Sequence, residues 1–153
     1  MSPSLGLVGA GLAGLAAGVL MTLFEFAFWK KWGLEGVAEW QVNSVMVSVL
    51  IRKFTQRRPG ALMAVAMHLF HATILGILFL VLLILSQAAV LLLPTVVCGV
   101  VYSIVLWIVS PYLTRGLFES AGCFRMTTKG LTSSLLAHIV YGVFLGLLVP
   151  VLV

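Results

Sequence analysis

Ala61-Leu-Met-Ala-Val-Ala-Met-His-Leu-Phe-His-Ala-Thr-Ile-Leu-Gly-Ile-Leu-Phe-Leu-Val-Leu-Leu-Ile-Leu85 contains no Lys, Arg, Asp or Glu. Crossing about 30 Å of hydrocarbon takes roughly 20 predominantly apolar residues in a helix, and this run is long enough. Three more stretches match it: about Leu5 to Trp29, Leu91 to Leu113 and Leu131 to Val153. None alternates apolar and polar residues with period two, the pattern of a membrane β-barrel. Helices satisfy their own backbone polar groups, as lipid requires. The expected fold is an all-α membrane protein: one domain over residues 1–153 with four transmembrane helices.

Composition agrees. Of 153 residues, 62% are hydrophobic and only 8% charged, against about 25% charged in an ordinary soluble domain. A water-soluble globule and a disordered chain are both excluded. The first span is read as a helix retained in the protein, because Met1-Ser-Pro-Ser precedes it without a cation and its apolar run exceeds a signal-peptide core.

The 9 Lys and Arg residues give the expected orientation. Lys30, Lys31, Arg52, Lys53, Arg57 and Arg58 lie between spans one and two; Arg115, Arg125 and Lys129 lie between spans three and four. The positive-inside rule then puts both loops in the cytoplasm and both termini outside. The expected location is the cell (inner or cytoplasmic) membrane. The net charge of +5 suits anionic lipid headgroups, and no nucleic-acid partner is expected.

Within the first loop, Val42, Val45, Met46, Val49, Leu50 and Phe54 recur at spacings of three and four, while Asn43, Ser44, Ser48 and Lys53 fall elsewhere. This predicts an amphipathic helix over about 37–54, lying in the inner interface, packed under the bundle, or docking a partner subunit. Pro94 is expected in the first turn of span three, and Pro111 and Pro150 are expected to kink or stop their helices. Cys98 and Cys123 fall at different depths, so no disulfide is expected.

Span one contains Gly9-Ala-Gly-Leu-Ala-Gly14, a G-x-G-x-x-G string. That string signals a dinucleotide site only after a strand, inside a βαβ unit, and neither fits here. Helix packing explains it better. Gly6, Ala10, Gly14 and Gly18 recur every four residues beside Gly9, Ala13 and Ala17. Small residues so spaced let two helix backbones approach closely, within the bundle or against another protein.

Spans two and four share a pattern. His68, Leu75 and Gly76 recur as His138, Leu145 and Gly146 at a constant offset of 70. Gly18-Val-Leu-Met-Thr22 matches Gly99-Val-Val-Tyr-Ser103 more loosely. Two hairpins in pseudo-two-fold repeat are expected, as in parallel membrane repeats. The element Leu136-Ala-His-Ile-Val-Tyr-Gly-Val-Phe-Leu-Gly146, preceded by Gly99-Val-Val-Tyr-Ser-Ile-Val-Leu-Trp107, resembles small uncharacterised prokaryotic four-helix membrane proteins of the YagU-like kind. The resemblance covers mainly the second half and implies a four-helix fold; it brings no activity or site.

Ionisable residues inside a membrane usually face protein, water or a ligand. Glu25, His68, His71 and His138 form an expected polar layer, with Tyr102, Trp107 and Ser110 in reach. His68 and His138 each lie about 10 Å deep at 1.5 Å per residue. Several roles fit: a Glu–His hydrogen-bond cluster fixing register, with Glu25 alternatively snorkelling to Lys30 or Lys31; haem b bound through His68 and His138; a proton or ion path; or a zinc or copper site. No cofactor or metal is assigned. No nucleophile–base–acid set appears, so no enzyme is expected. The small extramembrane share, the glycine-rich span and the amphipathic helix favour an accessory subunit of a larger membrane assembly. The alternatives are a homo-oligomeric transporter or channel and a membrane cytochrome.

Overall fold

A computed structural model describes residues 3–52, 61–87, 92–121 and 127–153. Among them, every regular element is helical: α1 Pro3–Trp32, a 3₁₀ turn Gly33–Gly36, α2 Ala38–Arg52, α3 Ala61–Leu85, α4 Leu92–Ala121 and α5 Thr128–Leu152. Four stretches are long and apolar enough to cross a bilayer: Leu5–Trp32, Leu62–Leu85, Leu92–Ser110 and Thr128–Leu152. Large apolar side chains such as Leu23, Phe70, Leu82 and Val97 point away from the bundle. In water that surface would drive aggregation; in a multi-pass membrane protein it faces acyl chains. The start of α1 and the end of α5 lie together: a Cβ added at Gly6 would be 3.6 Å from Val153 Cγ1.

The spans pack in the order α3, α1, α5, α4. A central α1 needs two smooth faces, and the two small-residue rows supply them. Gly14 and Gly18 face α3, where a Cβ added at Gly14 would lie 2.8 Å from Gly76 Cα and one at Gly18 2.5 Å from Ala72 Cβ. Gly9 faces α5, where an added Cβ would run into the Leu152 carbonyl. Both rows are thus occupied within the chain. Gly6 is roomy, its nearest neighbour being Val153 Cγ1 at 3.6 Å. The second hairpin closes in the same manner. A Cβ on Gly142 would sit 2.8 Å from the Gly99 carbonyl carbon, and one on Gly146 2.5 Å from Val96 Cα.

α3 and α4 follow one another in sequence yet scarcely pack together. They meet where Phe79 lies against Tyr102, ring centres 5.2 Å apart, and where the Tyr102 hydroxyl donates to the Leu75 carbonyl at 2.9 Å. At the loop end, α2 enters the gap and packs on α3, α4 and α5. The chain reverses into it through Gly33, whose φ of +64° is readily available only to glycine. Trp29 and Trp40 stack with centroids 6.2 Å apart, fastening α2 to α1.

This placement corrects the sequence reading of α2. The helix is present, over Ala38–Arg52, but its buried row is Glu39, Asn43 and Val47, while Leu50 is exposed. Asn43, which falls off the apolar stripe, points inward. The physical reason is the solvent. Where a helix lies against a polar bundle interior and lipid surrounds the rest, its polar side turns in. α4 also runs on past position 111 to Ala121 instead of stopping there. Pro94 does fall in its first turn, and Pro150 lies inside the last turn of α5. Arg57 and Cys123 lie outside the described residues.

Candidate functional site

The polar side chains converge where α2 meets the spans. Glu25, on α1, is 1% exposed. Its Oε2 accepts from the Trp40 indole N–H at 2.9 Å, so it neither snorkels to Lys30 or Lys31 nor meets a histidine. The glutamate that meets a histidine is Glu39, on α2. Its Oε1 accepts a short hydrogen bond from the Ser134 hydroxyl and lies 3.4 Å from His138 Nδ1. Burial pushes the Glu39 carboxyl up, but hydrogen bonds from His138, Glu25 and Ser134 outweigh it and hold it well below the ordinary carboxylate range.

Glu25 and Glu39 also interact with each other. Each keeps one buried oxygen, Glu25 Oε1 and Glu39 Oε2, with no hydrogen-bond donor among the described residues. Held low, Glu39 is the member that carries a negative charge.

Asn43 orders the histidines. Its amide nitrogen donates to the Glu39 carbonyl at 2.8 Å, which fixes the amide orientation. The same nitrogen lies 3.4 Å from His68 Nδ1, making that atom the acceptor and placing the proton of neutral His68 on Nε2. The amide oxygen lies 3.2 Å from His71 Nδ1, so His71 carries its proton there. His138 Nδ1 lies 2.9 Å from the Ser134 carbonyl and donates to it. His71 and His138 thus share one tautomer, with Nε2 as acceptor in the neutral ring, and His68 has the other.

These groups surround a cavity of about 270 Å³. Glu39, Asn43, His68, His71, Ser134 and His138 form its polar side; Met21, Leu75, Leu106, Trp107 and Tyr141 are among its other walls. Away from the loop end it is strapped across, because Tyr141 on α5 donates its hydroxyl to the Ala72 carbonyl on α3 at 2.9 Å. Small-molecule sites have this make-up: largely apolar walls with a few converging polar groups.

Of the residues expected in the layer, His68, His71 and His138 line the cavity, and Glu25 stands behind it through Glu39. Glu39, Asn43, Ser134 and Trp40 were not foreseen. No group of three or more His, Cys, Asp or Glu among the described residues is arranged to hold a metal ion. The volume sits just under the roughly 300–1,000 Å³ of drug-sized ligand pockets, and His68 has Nδ1 against Asn43 and Nε2 buried, an arrangement that does not present a ring nitrogen to a haem iron. Comparison with protein families, with curated proteins and with solved structures finds no match to this chain.

Proposed function

We propose that this protein is a small proton-coupled carrier of the inner membrane, working through the Glu25–Glu39 pair and the histidine-lined cavity. One observation carries the reading: two buried glutamates, each with an oxygen that no donor among the described residues satisfies, adjoin a cavity in a bundle of membrane-length helices. Ionisable groups are costly at that depth and recur in proton relays and solute paths. The cavity draws on all five helices of one chain, so the site needs no second copy to complete it.

The orientation proposed is loops and α2 in the cytoplasm, termini outside, from the distribution of cations. The two hairpins are proposed as a repeat. In its support, the close pairs Gly14–Gly76 and Gly18–Ala72 in the first hairpin correspond to Thr95–Gly146 and Gly99–Gly142 in the second. Each hairpin contributes one matched histidine to the cavity.

The competing role, an accessory subunit of a larger assembly, keeps the small extramembrane share of the chain. It loses two other supports, because the small-residue rows and the inward face of α2 have partners inside the chain.

Purified protein in liposomes with an entrapped pH dye tests the carrier reading. Added small organic solutes should drive dye-reported proton movement, and Glu39→Gln should abolish it. Wild-type liposomes that respond to none of them more than empty ones do would refute the reading.

A further inference from the structure

The cavity has a charge and a hydrogen-bonding sense. The Glu39 carboxylate in its wall carries a negative charge, and no lysine or arginine is among the described residues lining it. His138 compensates it only in part: its Nδ1–H is shared between the Ser134 carbonyl at 2.9 Å and Glu39 Oε1 at 3.4 Å, the second longer than the roughly 2.7–2.9 Å of a strong ionic hydrogen bond. An under-compensated charge at this depth favours a cation nearby.

The lining also selects the type of cation. His71 and His138 have Nδ1 committed to protein oxygens, so the atom each neutral ring has left for an occupant is Nε2, an acceptor. The hydroxyl of Tyr141 is already spent on Ala72. The polar side therefore calls for a donor. A bare or hydrated metal ion would want a shell of oxygen ligands, whereas these walls include Met21, Leu75, Leu106 and Trp107. An aromatic wall also favours an organic cation.

We propose that the cavity binds a small organic ammonium, a protonated amine with an apolar body. Its N–H groups meet the Nε2 atoms of His71 and His138 near the Glu39 charge, and its body lies among Trp107, Leu75 and Leu106. This rests on the reading of the cavity as a solute site.

The test is equilibrium binding of radiolabelled 2-phenylethylammonium to the full chain in nanodiscs, with empty nanodiscs subtracted. Saturable binding at one site per chain is expected. Neutral 2-phenylethanol should compete at least tenfold less well than the unlabelled amine. Glu39→Gln should weaken binding at least tenfold, and Leu75→Trp, which fills the cavity and keeps the charge, should do likewise. Absence of saturable binding, equal competition by the alcohol, or unaltered binding by a folded Glu39→Gln protein would each overturn the proposal. If Glu39→Gln does not fold, the amine-against-alcohol competition on the wild type decides alone. Amine binding without proton movement in liposomes would overturn the carrier reading and leave this one standing. Proton movement without amine binding would do the reverse.

Discussion

Gly9, Gly11 and Gly14 sit within six residues of one another on α1, and the structure predicts different outcomes for the same change at each. A Cβ at Gly14 would lie 2.8 Å from Gly76 Cα and 3.0 Å from Gly76 N. Carbon atoms in good contact are about 3.5–4.0 Å apart, so α1 and α3 would have to part by roughly 1 Å there. The opposing atoms are backbone and cannot rotate away. Overpacking of this kind costs about 1–3 kcal/mol, and Gly14→Ala belongs at the upper end. Gly9→Ala meets the Leu152 carbonyl of α5, within the last turns of that helix, where the chain has more room to give; about 1 kcal/mol is expected. Gly11→Ala meets side-chain ends, Ile77 Cδ1 and Thr73 Cγ2, at 3.5 Å. It should be neutral or stabilise by up to about 1 kcal/mol through helix propensity. Reversible unfolding in mixed micelles gives the ranking, and native mass spectrometry gives the oligomeric state, which should not change in any of the three. Equal effects at Gly11 and Gly14, or a Gly14→Ala protein of wild-type stability that loses an oligomer, would refute the internal packing of α1.

Trp40→Phe keeps the ring stack but leaves Glu25 Oε2 without its donor, and should destabilise by about 1–3 kcal/mol, read from the melting temperature in detergent. Because the Glu39 carboxyl is held low, at about 2 against 4.5 when free, its stabilising bonds are fully present above the free value. They are lost as pH falls through the folded value, so the melting temperature should drop between about pH 4.5 and 2. Ser134→Ala removes one donor to Glu39 and should move that acid transition to higher pH, followed by the same melts. A cysteine introduced at Lys129 should label only from the cytoplasmic side of inverted vesicles; labelling in intact cells would reverse the proposed orientation.

The spans were legible in the sequence because lipid imposes one simple demand on length and polarity. Helix-packing glycines were legible as rows, but Gly6 and Gly14 look alike on paper. Only the neighbouring helix, Gly76 for one and Val153 for the other, distinguishes a tight site from a roomy one. The histidines were legible from depth. Glu39 and Asn43 are not, because the apolar recurrence of α2 does not tell whether lipid or protein covers it. The available signal was their spacing: Glu39, Asn43 and Val47 fall at i, i+4 and i+8, one face of one helix. No pattern within α2 announces that Ser134 and His138, some ninety residues on, complete it.

That separation sets an order of events during synthesis. Glu25, Glu39, Trp40, Asn43, His68 and His71 all belong to the first half of the chain, while Ser134 and His138 arrive with the last helix. Until α5 is in place, Glu39 lacks the hydroxyl and imidazole donors that hold it, and a partly inserted chain carries an ill-satisfied acid at its loop face. α5 is therefore the helix that settles α2: without it the first three spans remain, but the cavity lacks one wall and Glu39 its partners.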